Sequence, residues 1–428
     1  MSTAELSTTT DGSFEHDLAR LLAGDPDSLG SVFTMWDRAR LLGPTHWTGT
    51  RHLIFGYDEV KSILNDSRLG NNGFYVGTDA EYVRSTLTAD ELELYWEVAD
   101  FESKQLGRSD GADHTRLRDI ARRTFTPRRI ALLRESVTTY ADDLLDSVAG
   151  AGVVEAVSAV THVLPLMVIV DLLGVPQQDR ALIRDWSCRL GRWRGNNTPE
   201  ILRDTHTAMT EFRDYVRTIL ESKRTVEPET DLIAALMGAG DGGRLDAEEL
   251  VAFYVMLLLA GHETTTNLMG IGLLELHRQP EQWRGLCADP SSARAGIDEL
   301  LRFVSPVQYV GRVALETIHL GETVIEEGQS VLPIIGSANH DPKVFENPEQ
   351  LDLGRANARE QIAFGYGPHF CLGQQLAQLE ASIVFRKLAT RFPDMRVDVS
   401  QARFGGSLGL RALEHLPVDF GPDHGESD

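Results

Sequence analysis

Cysteine is almost absent from this chain. Its 428 residues hold three, Cys188, Cys287 and Cys371. They are odd in number, far apart and without zinc-site spacing, so neither a disulfide framework nor a structural zinc centre is expected. Long apolar runs are missing too, since no stretch reaches the roughly 18 residues a membrane helix needs. The opening MSTAELSTTTDGS lacks the basic and apolar segments of a secretory signal. Positive charge is scarce: 41 Lys and Arg stand against 64 Asp and Glu, a formal net charge of −23, which speaks against wholesale nucleic-acid binding. The interior has no Pro/Ser-rich linker, repeat or long low-complexity run, so one large unit is expected where length alone suggests two or three. These absences describe a cytoplasmic globular protein with neither membrane nor nucleic acid as partner. Residues 1–25 are expected to be disordered, 26–421 to form one domain, and 422–428 to be an acidic tail.

What the chain does have is helical periodicity. DSLGSVFTMWDRARLLG reads as a first helix, THWTGTRHLIFG as a hairpin and YDEVKSILND as a short helix. From about Arg68 to Ser109 an irregular stretch carries Phe74, Tyr75, Tyr82, Tyr95, Trp96 and Phe101. Such a loop either folds over a ligand or packs on the core. From Asp113 to about Gly240 the spacing is helical, with breaks near Pro127, Gly150, Pro176 and Asn196. Asp246 with Glu249 predicts a capped helix start and Pro280 a stop, a span of roughly 45 Å at 1.5 Å per residue. Its centre, VAFYVMLLLAG, is apolar all round and belongs in the protein's middle. EQWRGLCAD and SARAGIDELLRFV read as helices, and ALETIHL, ETVIEE and QSVLPIIG as short strands. CLGQQLAQLEASIVFRKLATRF is a last helix before a strand ending LPVDF. The class is mainly α with a minor antiparallel β part.

Three clusters carry chemistry. In FGYGPHFCLGQQLAQLE, Cys371 falls just before the last helix, where free N–H groups and the helix dipole favour a thiolate. Gly365, Gly367 and Gly373 allow a close approach to a flat ligand or to the sulfur itself. A buried structural thiol, or a nucleophile served by His369, leaves that glycine spacing unexplained. In AGHETTTN, Glu263 and three threonines follow an apolar core, where unpaired polar groups are costly. Proton delivery, a bulge opened beside a ligand, or threonine bonding back to the preceding turn each account for them. Glu299 and Arg302 share a helical face; the same spacing recurs elsewhere on solvated faces, but here the segment looks buried.

Taken in this order, the three clusters resemble the cytochrome P450 family of haem-thiolate monooxygenases. FGYGPHFCLG matches the cysteine-loop pattern at every fixed position, AGHETT the oxygen-binding helix, and ELLR the buried Glu-x-x-Arg. The likeness runs from about residue 45 to LPVDF. It implies the P450 fold, with haem b between the long central helix and the cysteine-loop helix. Cys371 is then the axial iron ligand, and His114, Arg118, Arg312 and His369 meet the haem propionates. Glu299 and Arg302 pair with Arg355 to brace the loop. Thr264 holds dioxygen and orders water, with Glu263 relaying protons to it. Met256, Leu259, Ala260, Val307 and Leu408 line the distal pocket. Departures are the turn DGAD before His114, where many relatives have a proline pair, ANHD with histidine where arginine is common, and Glu263 where many members have aspartate.

The resemblance implies an enzyme that inserts one atom of dioxygen into a small organic substrate by hydroxylation or epoxidation, in bacterial specialised metabolism such as polyketide, macrolide or peptide tailoring. Electrons are expected from a separate ferredoxin and ferredoxin reductase, the ferredoxin docking on the arginine-rich run 114–129. Arg184, Arg189, Arg192 and Arg194 form a basic cluster that reads by default as a solvated face; the sharper alternative is an anionic partner there, either a carboxylated substrate or an acidic carrier protein presenting a tethered acyl or aminoacyl chain. A non-catalytic haem-binding or carrier-recognition protein is the rival class, and the intact Glu263–Thr264 pair argues against it.

Overall fold

A computed structural model describes residues 11–193, 198–223, 226, 232–238 and 245–425. Helices α1 (Asp11–Leu22), α2 (Pro26–Gly30) and α3 (Val32–Leu42) open it, followed by α4 (Tyr57–Asn65). Next come α5 (Gly73–Val76), α6 (Thr78–Ser85), α7 (Ala89–Ser103), α8 (Gly111–Thr124), α9 (Pro127–Leu132) and α10 (Arg134–Val148). A π-helical turn, Val157–Thr161, leads into α11 (Val163–Leu172), then α12 (Arg180–Trp193), α13 (Pro199–Lys223) and α14 (Leu232–Gly238). The second half holds α15 (Ala247–Arg278), α16 (Pro280–Ala288), α17 (Ala293–Val304), α18 (Ile335–Ala338) and α19 (Gln374–Arg391). The class is mainly α, as read from the sequence.

Strands are short: β1 (Thr45–Trp47), β2 (Arg51–Ile54), β3 (Leu69–Gly70), β4 (Val153–Glu155), β5 (Arg312–Ala314), β6 (Ile318–Leu320), β7 (Thr323–Ile325) and β8 (Ser330–Pro333). After α19 come β9 (Arg396–Val397), β10 (Arg403–Gly406), β11 (Arg411–His415) and β12 (Pro417–Asp419). The largest sheet has the order β1-β2-β8-β5-β3. Its β2–β8 pair is parallel, with Leu53 opposite Leu332, while the other pairs are antiparallel. The β part is therefore mixed, because β2 and β8 meet through a long helical excursion.

Helix α15 organises the rest. Asp246 accepts a bond from the Glu249 N–H at 2.8 Å, and the Glu249 carboxylate accepts one from the Asp246 N–H at 2.9 Å. Each end of that capping box satisfies a donor the first turn would otherwise leave free. Over its 32 residues the helix runs about 48 Å, with Leu250–Val255 and Thr265–Leu276 all buried. Gly261 lets α11 come close, since a Cβ there would lie 2.8 Å from Ile169 Cδ1.

Two expectations need correction. The stretch from Arg68 to Ser109 is not irregular: α5, α6 and α7 fill much of it, and Thr88 and Glu91 form a capping box at the start of α7. Tyr75, Tyr95 and Phe101 are buried there, whereas Tyr82 and Trp96 stay exposed. The disordered segment assigned to 1–25 is helical from Asp11, because Phe14, Leu18 and Leu21 bury one face of α1 in the core; residues 1–10 lie outside the described residues. At the other end Asp423 ion-pairs with Arg391 of α19 and the His424 N–H bonds the Arg391 carbonyl at 2.9 Å, so the start of the acidic tail is tied to the core.

Candidate active site around Cys371

The loop before α19 is built by two left-handed glycines, Gly365 at φ +75° and Gly367 at φ +76°. Gly367 also sits against α4, where a Cβ would come 2.7 Å from Asn65 Oδ1 and 3.1 Å from the Leu64 carbonyl. No larger residue fits there. The Cys371 N–H bonds the Phe364 carbonyl at 2.9 Å, folding the loop back on itself. By area Cys371 is exposed, yet protein atoms surround its sulfur closely enough that desolvation dominates and raises the thiol pKa. The N–H groups of Gly373 and Gln374 and the Arg118 guanidinium act in the opposite direction. The helix-terminus lowering expected from the sequence is present, and in the free thiol burial outweighs it. A cation on the sulfur would reverse that balance.

The loop is braced by an ion network with a fully buried pair at its centre. Arg302 donates to Glu299 through Nε and an Nη at 2.8 Å each, both side chains having 0% exposure. Arg355 Nε reaches the same carboxylate at 3.0 and 3.1 Å, and the Asp352 N–H donates to it at 3.0 Å. The remaining guanidinium donors go to carbonyls: Arg302 to Asn339, Pro348 and Gln350, Arg355 to Glu346, Asn347 and Gln350. Asn339, which the sequence reading passed over, carries the network to the cysteine. Its Oδ1 accepts from the Ile362 N–H at 2.8 Å, and the Ile362 carbonyl accepts from the Gly365 N–H at 2.8 Å. The histidine beside it, His340, is buried and stacks on Phe33 at 3.8 Å between centroids; with arginine absent from this position, packing replaces charge.

A basic cluster stands on the other side of the loop. The His114 and His369 rings lie 3.9 Å apart, and an Arg118 Nη donates to the Phe370 carbonyl. His369 Nε2 is 2.6 Å from Asn71 Nδ2 and 3.6 Å from Asp110. Arg312 is 5% exposed, and burial pushes its pKa down to about 10 against the pull of Asp110. Burial, with His369 and Arg118 nearby, lowers His114 to about 4. His114 Nε2 and Arg118 Nε are buried without a partner.

On α15, Met256 and Thr264 are partly accessible and Ala260 is exposed, in a helix that is otherwise mostly buried. Their i, i+4, i+8 spacing makes one open stripe. The Thr264 hydroxyl donates to the Ala260 carbonyl at 3.0 Å, so the back-bonding alternative describes the threonine and no bulge interrupts the helix. Glu263 points towards α12, its Oε1 lying 3.5 Å from where a Gly191 Cβ would be. Leu259 is buried in the same apolar cluster that receives Met256 and Leu372, the residue after Cys371. Leu408 is buried in a second cluster, and Val307 bridges to Leu410.

Of the arginine cluster read from the sequence, Arg184 is exposed and Arg189 is already paired. Arg189 is held by Asp204 at 2.8 Å, Glu211 at 3.1 Å and Asp185 at 3.4 Å; the side chains of Arg192 and Arg194 lie outside the described residues. In the run 114–129, Arg116 pairs with Glu249 of α15, whereas Arg122, Arg123 and Arg128 are exposed. Among the described residues no helix is long and apolar enough to cross a membrane.

Comparison with known proteins places the chain in a family. The Cytochrome P450 family model matches residues 193–286 and 293–398. A 6-deoxyerythronolide B hydroxylase of Saccharopolyspora erythraea is 35% identical over 385 residues, covering 89% of this chain and 91% of that protein. The polyketide biosynthesis cytochrome P450 PksS of Bacillus subtilis is 35% identical over 375 residues, covering 86% and 88%. Among solved structures, P450BioI in complex with an acyl carrier protein ligated to hexadec-9Z-enoic acid superposes with a TM-score of 0.82 at 29% identity, covering 92% of this chain and 99% of that one. The chain belongs to the cytochrome P450 family and is a haem-thiolate monooxygenase.

Proposed function

We propose that this monooxygenase hydroxylates or epoxidises a free organic substrate of polyketide or macrolide type, in bacterial specialised metabolism. The observation that carries the reading is the stripe Met256–Ala260–Thr264, accessible on an otherwise mostly buried helix and bordered by the apolar Leu259, which suits an apolar ligand. The hydroxylase and polyketide-biosynthesis relatives supply the substrate class.

The residues present fit the family's haem. Cys371 offers its sulfur, and the unpartnered buried donors of His114 and Arg118, with Arg312 and His369 beside them, suit the two carboxylates of a porphyrin. When bound, the haem with its thiolate ligand supplies the activation of dioxygen, one atom entering the substrate and the other leaving as water. The chain's own residues do the rest. The Thr264 hydroxyl gives its hydrogen bond to the Ala260 carbonyl, so its oxygen lone pairs are left to accept from a water and order it, and that water carries the proton. Glu263 holds a proton at its carboxylate one residue away. Met256, Leu259, Val307 and Leu408 orient the substrate, and the buried Glu299–Arg302–Arg355 network keeps the cysteine loop fixed.

Electrons are taken to come from a ferredoxin and its reductase, docked on the exposed arginines of α8 and α9. A carrier-bound substrate, as in the P450BioI complex, is the second reading; Arg189 is already neutralised by three carboxylates, which leaves the exposed Arg184 to receive an acidic carrier. The test is a spectral titration with macrolactones and linear polyketides, followed by turnover with a ferredoxin system. A substrate-induced shift and a product heavier by one oxygen are expected. Binding only of carrier-tethered chains would overturn the free-substrate reading.

A further inference from the structure

In the basic cluster beside the cysteine loop, one bond has a direction that the family reading does not supply. Asn71 is 4% exposed and follows β3, whose pairing with β5 sets Gly70 opposite Val313 and carries Asn71 towards Arg312. Its backbone N–H donates to Asp110 Oδ2 and its side-chain Nδ2 to Asp110 Oδ1, each at 2.7 Å. The same Nδ2 lies 2.6 Å from His369 Nε2. Gly70 permits the approach, since a Cβ there would come 3.2 Å from Asp110 Oδ2. Asp110 is also the residue ahead of α8, yet its side chain makes no bond to the first turn of that helix. A capping aspartate would ordinarily do so; here the carboxylate goes to Asn71.

These contacts decide where the hydrogens lie. Burial acts to raise the Asp110 pKa, and the His369 ring and the two Asn71 donors more than offset it, so Asp110 stands as an ionised acceptor. An ionised carboxylate cannot donate, so the atom facing its Oδ1 must be the amide nitrogen of Asn71. That nitrogen carries two hydrogens, and the second is left for His369 Nε2. Nε2 is therefore an acceptor, and the ring's proton sits on Nδ1. A haem carboxylate takes a hydrogen bond only from a donor, so the tautomer decides whether His369 can hold it. Without the Asn71 amide, the acceptor left beside Nε2 is Asp110 Oδ1, 3.6 Å away. It would draw the proton to Nε2 and leave Nδ1 without one.

We propose that Asn71 is a positioning residue for haem binding: held by Asp110, it selects the tautomer in which His369 offers an Nδ1–H to a haem carboxylate. Asn71 acts only through the histidine ring. The inference rests on His369 facing such a carboxylate.

The direct test is a nitrogen NMR spectrum of the histidine-labelled holoenzyme in its diamagnetic ferrous carbon monoxide form. The His369 signals are assigned by their loss in His369→Phe. The parent should carry the proton on Nδ1, and a proton on Nε2 would overturn the inference. Asn71→Ala should move it to Nε2 and, because a bond to a charged group is lost, speed haem release to a haem scavenger about ten-fold. A proton that stays on Nδ1 in Asn71→Ala, or haem release at the parent's rate, would also overturn the inference. Adding Asp110→Ala to Asn71→Ala removes the competing acceptor, so the proton should return to Nδ1 and haem release should slow again. Damage by lost packing would accumulate instead, and faster release from the double variant than from Asn71→Ala would count against the tautomer. Parent-rate haem release in His369→Phe would instead remove the carboxylate contact on which the inference stands.

Discussion

Replacing Glu299 by glutamine withdraws one negative charge from beneath two guanidinium groups while leaving side-chain volume almost unchanged. The carboxylate receives both Arg302 bonds at 2.8 Å, the Arg355 Nε at 3.0 and 3.1 Å and the Asp352 N–H at 3.0 Å. A glutamine amide can accept on one side only, and its NH2 would face donors. Arg302, 0% exposed, would keep its charge with no counter-ion. Breaking a buried pair in this way costs about 3–5 kcal/mol, or two to three and a half orders of magnitude in the folding constant at ~1.4 kcal/mol per ten-fold. The damage should reach the haem first, since Arg302 bonds the Asn339 carbonyl, and Asn339 in turn holds Ile362 two residues before the cysteine-loop turn. The assay is the red-shifted carbon monoxide band of thiolate ligation, recorded against temperature. Glu299→Gln should lose that band well below the parent's unfolding temperature. Asp17→Asn, at an ion pair with both side chains over a third exposed, serves as the control and should not. Parent-like retention of the band in Glu299→Gln would refute the reasoning.

Other expectations are more local. Cys371→His should shift the carbon monoxide band to an ordinary histidine-haem position while Cys188→Ala and Cys287→Ala leave it alone, and an unmoved band in Cys371→His would remove the ligand assignment. Thr264→Ala should bind substrate as the parent does yet release hydrogen peroxide in place of product; peroxide and product yields equal to the parent's would show that the proton comes from elsewhere. Gly261→Ala drives a methyl to within 2.8 Å of Ile169 Cδ1 and 2.9 Å of its Cγ1 and should destabilise by about 1–3 kcal/mol; adding Ile169→Ala, which removes both carbons, should cost less in a thermal melt than Ile169→Ala does in the parent, and an equal cost would place the strain elsewhere. Charge reversal of exposed Arg122 and Arg123 should slow reduction by ferredoxin and flatten its salt dependence, the screening length being about 8 Å at physiological ionic strength. Reduction by dithionite should be unaffected, and equal ferredoxin rates at low salt would move the docking face.

The features legible in the sequence are those whose physics is completed within a turn or two of chain. The capping box at Asp246 and Glu249 is one, the glycine-rich loop around Cys371 another, and the Glu299–Arg302 pair a third. What escaped depends on partners far away in sequence. Helix α7 carries its own capping box at Thr88 and Glu91, but Leu92, Tyr95, Trp96, Val98 and Phe101 do not fall into one clean stripe. It packs against α13, more than a hundred residues later, through Arg203–Glu91 and His206–Glu97, and that contact cannot be read from a local period. The arginines of α12 show the same limit in reverse. As a run they suggest an open cationic surface, and only folding reveals that Asp204 and Glu211, 15 and 22 residues further on, already hold Arg189. Asn339 is the sharpest instance. Nothing local distinguishes it from any polar residue in a turn, yet its carbonyl takes a bond from Arg302 and its side chain takes one from Ile362. The buried charge of α17 and the ligand loop of Cys371 are therefore one mechanical unit. A loop held this way owes its position to buried charge on α17 and to one asparagine side chain, neither of which belongs to the open stripe of α15 at Met256, Ala260 and Thr264.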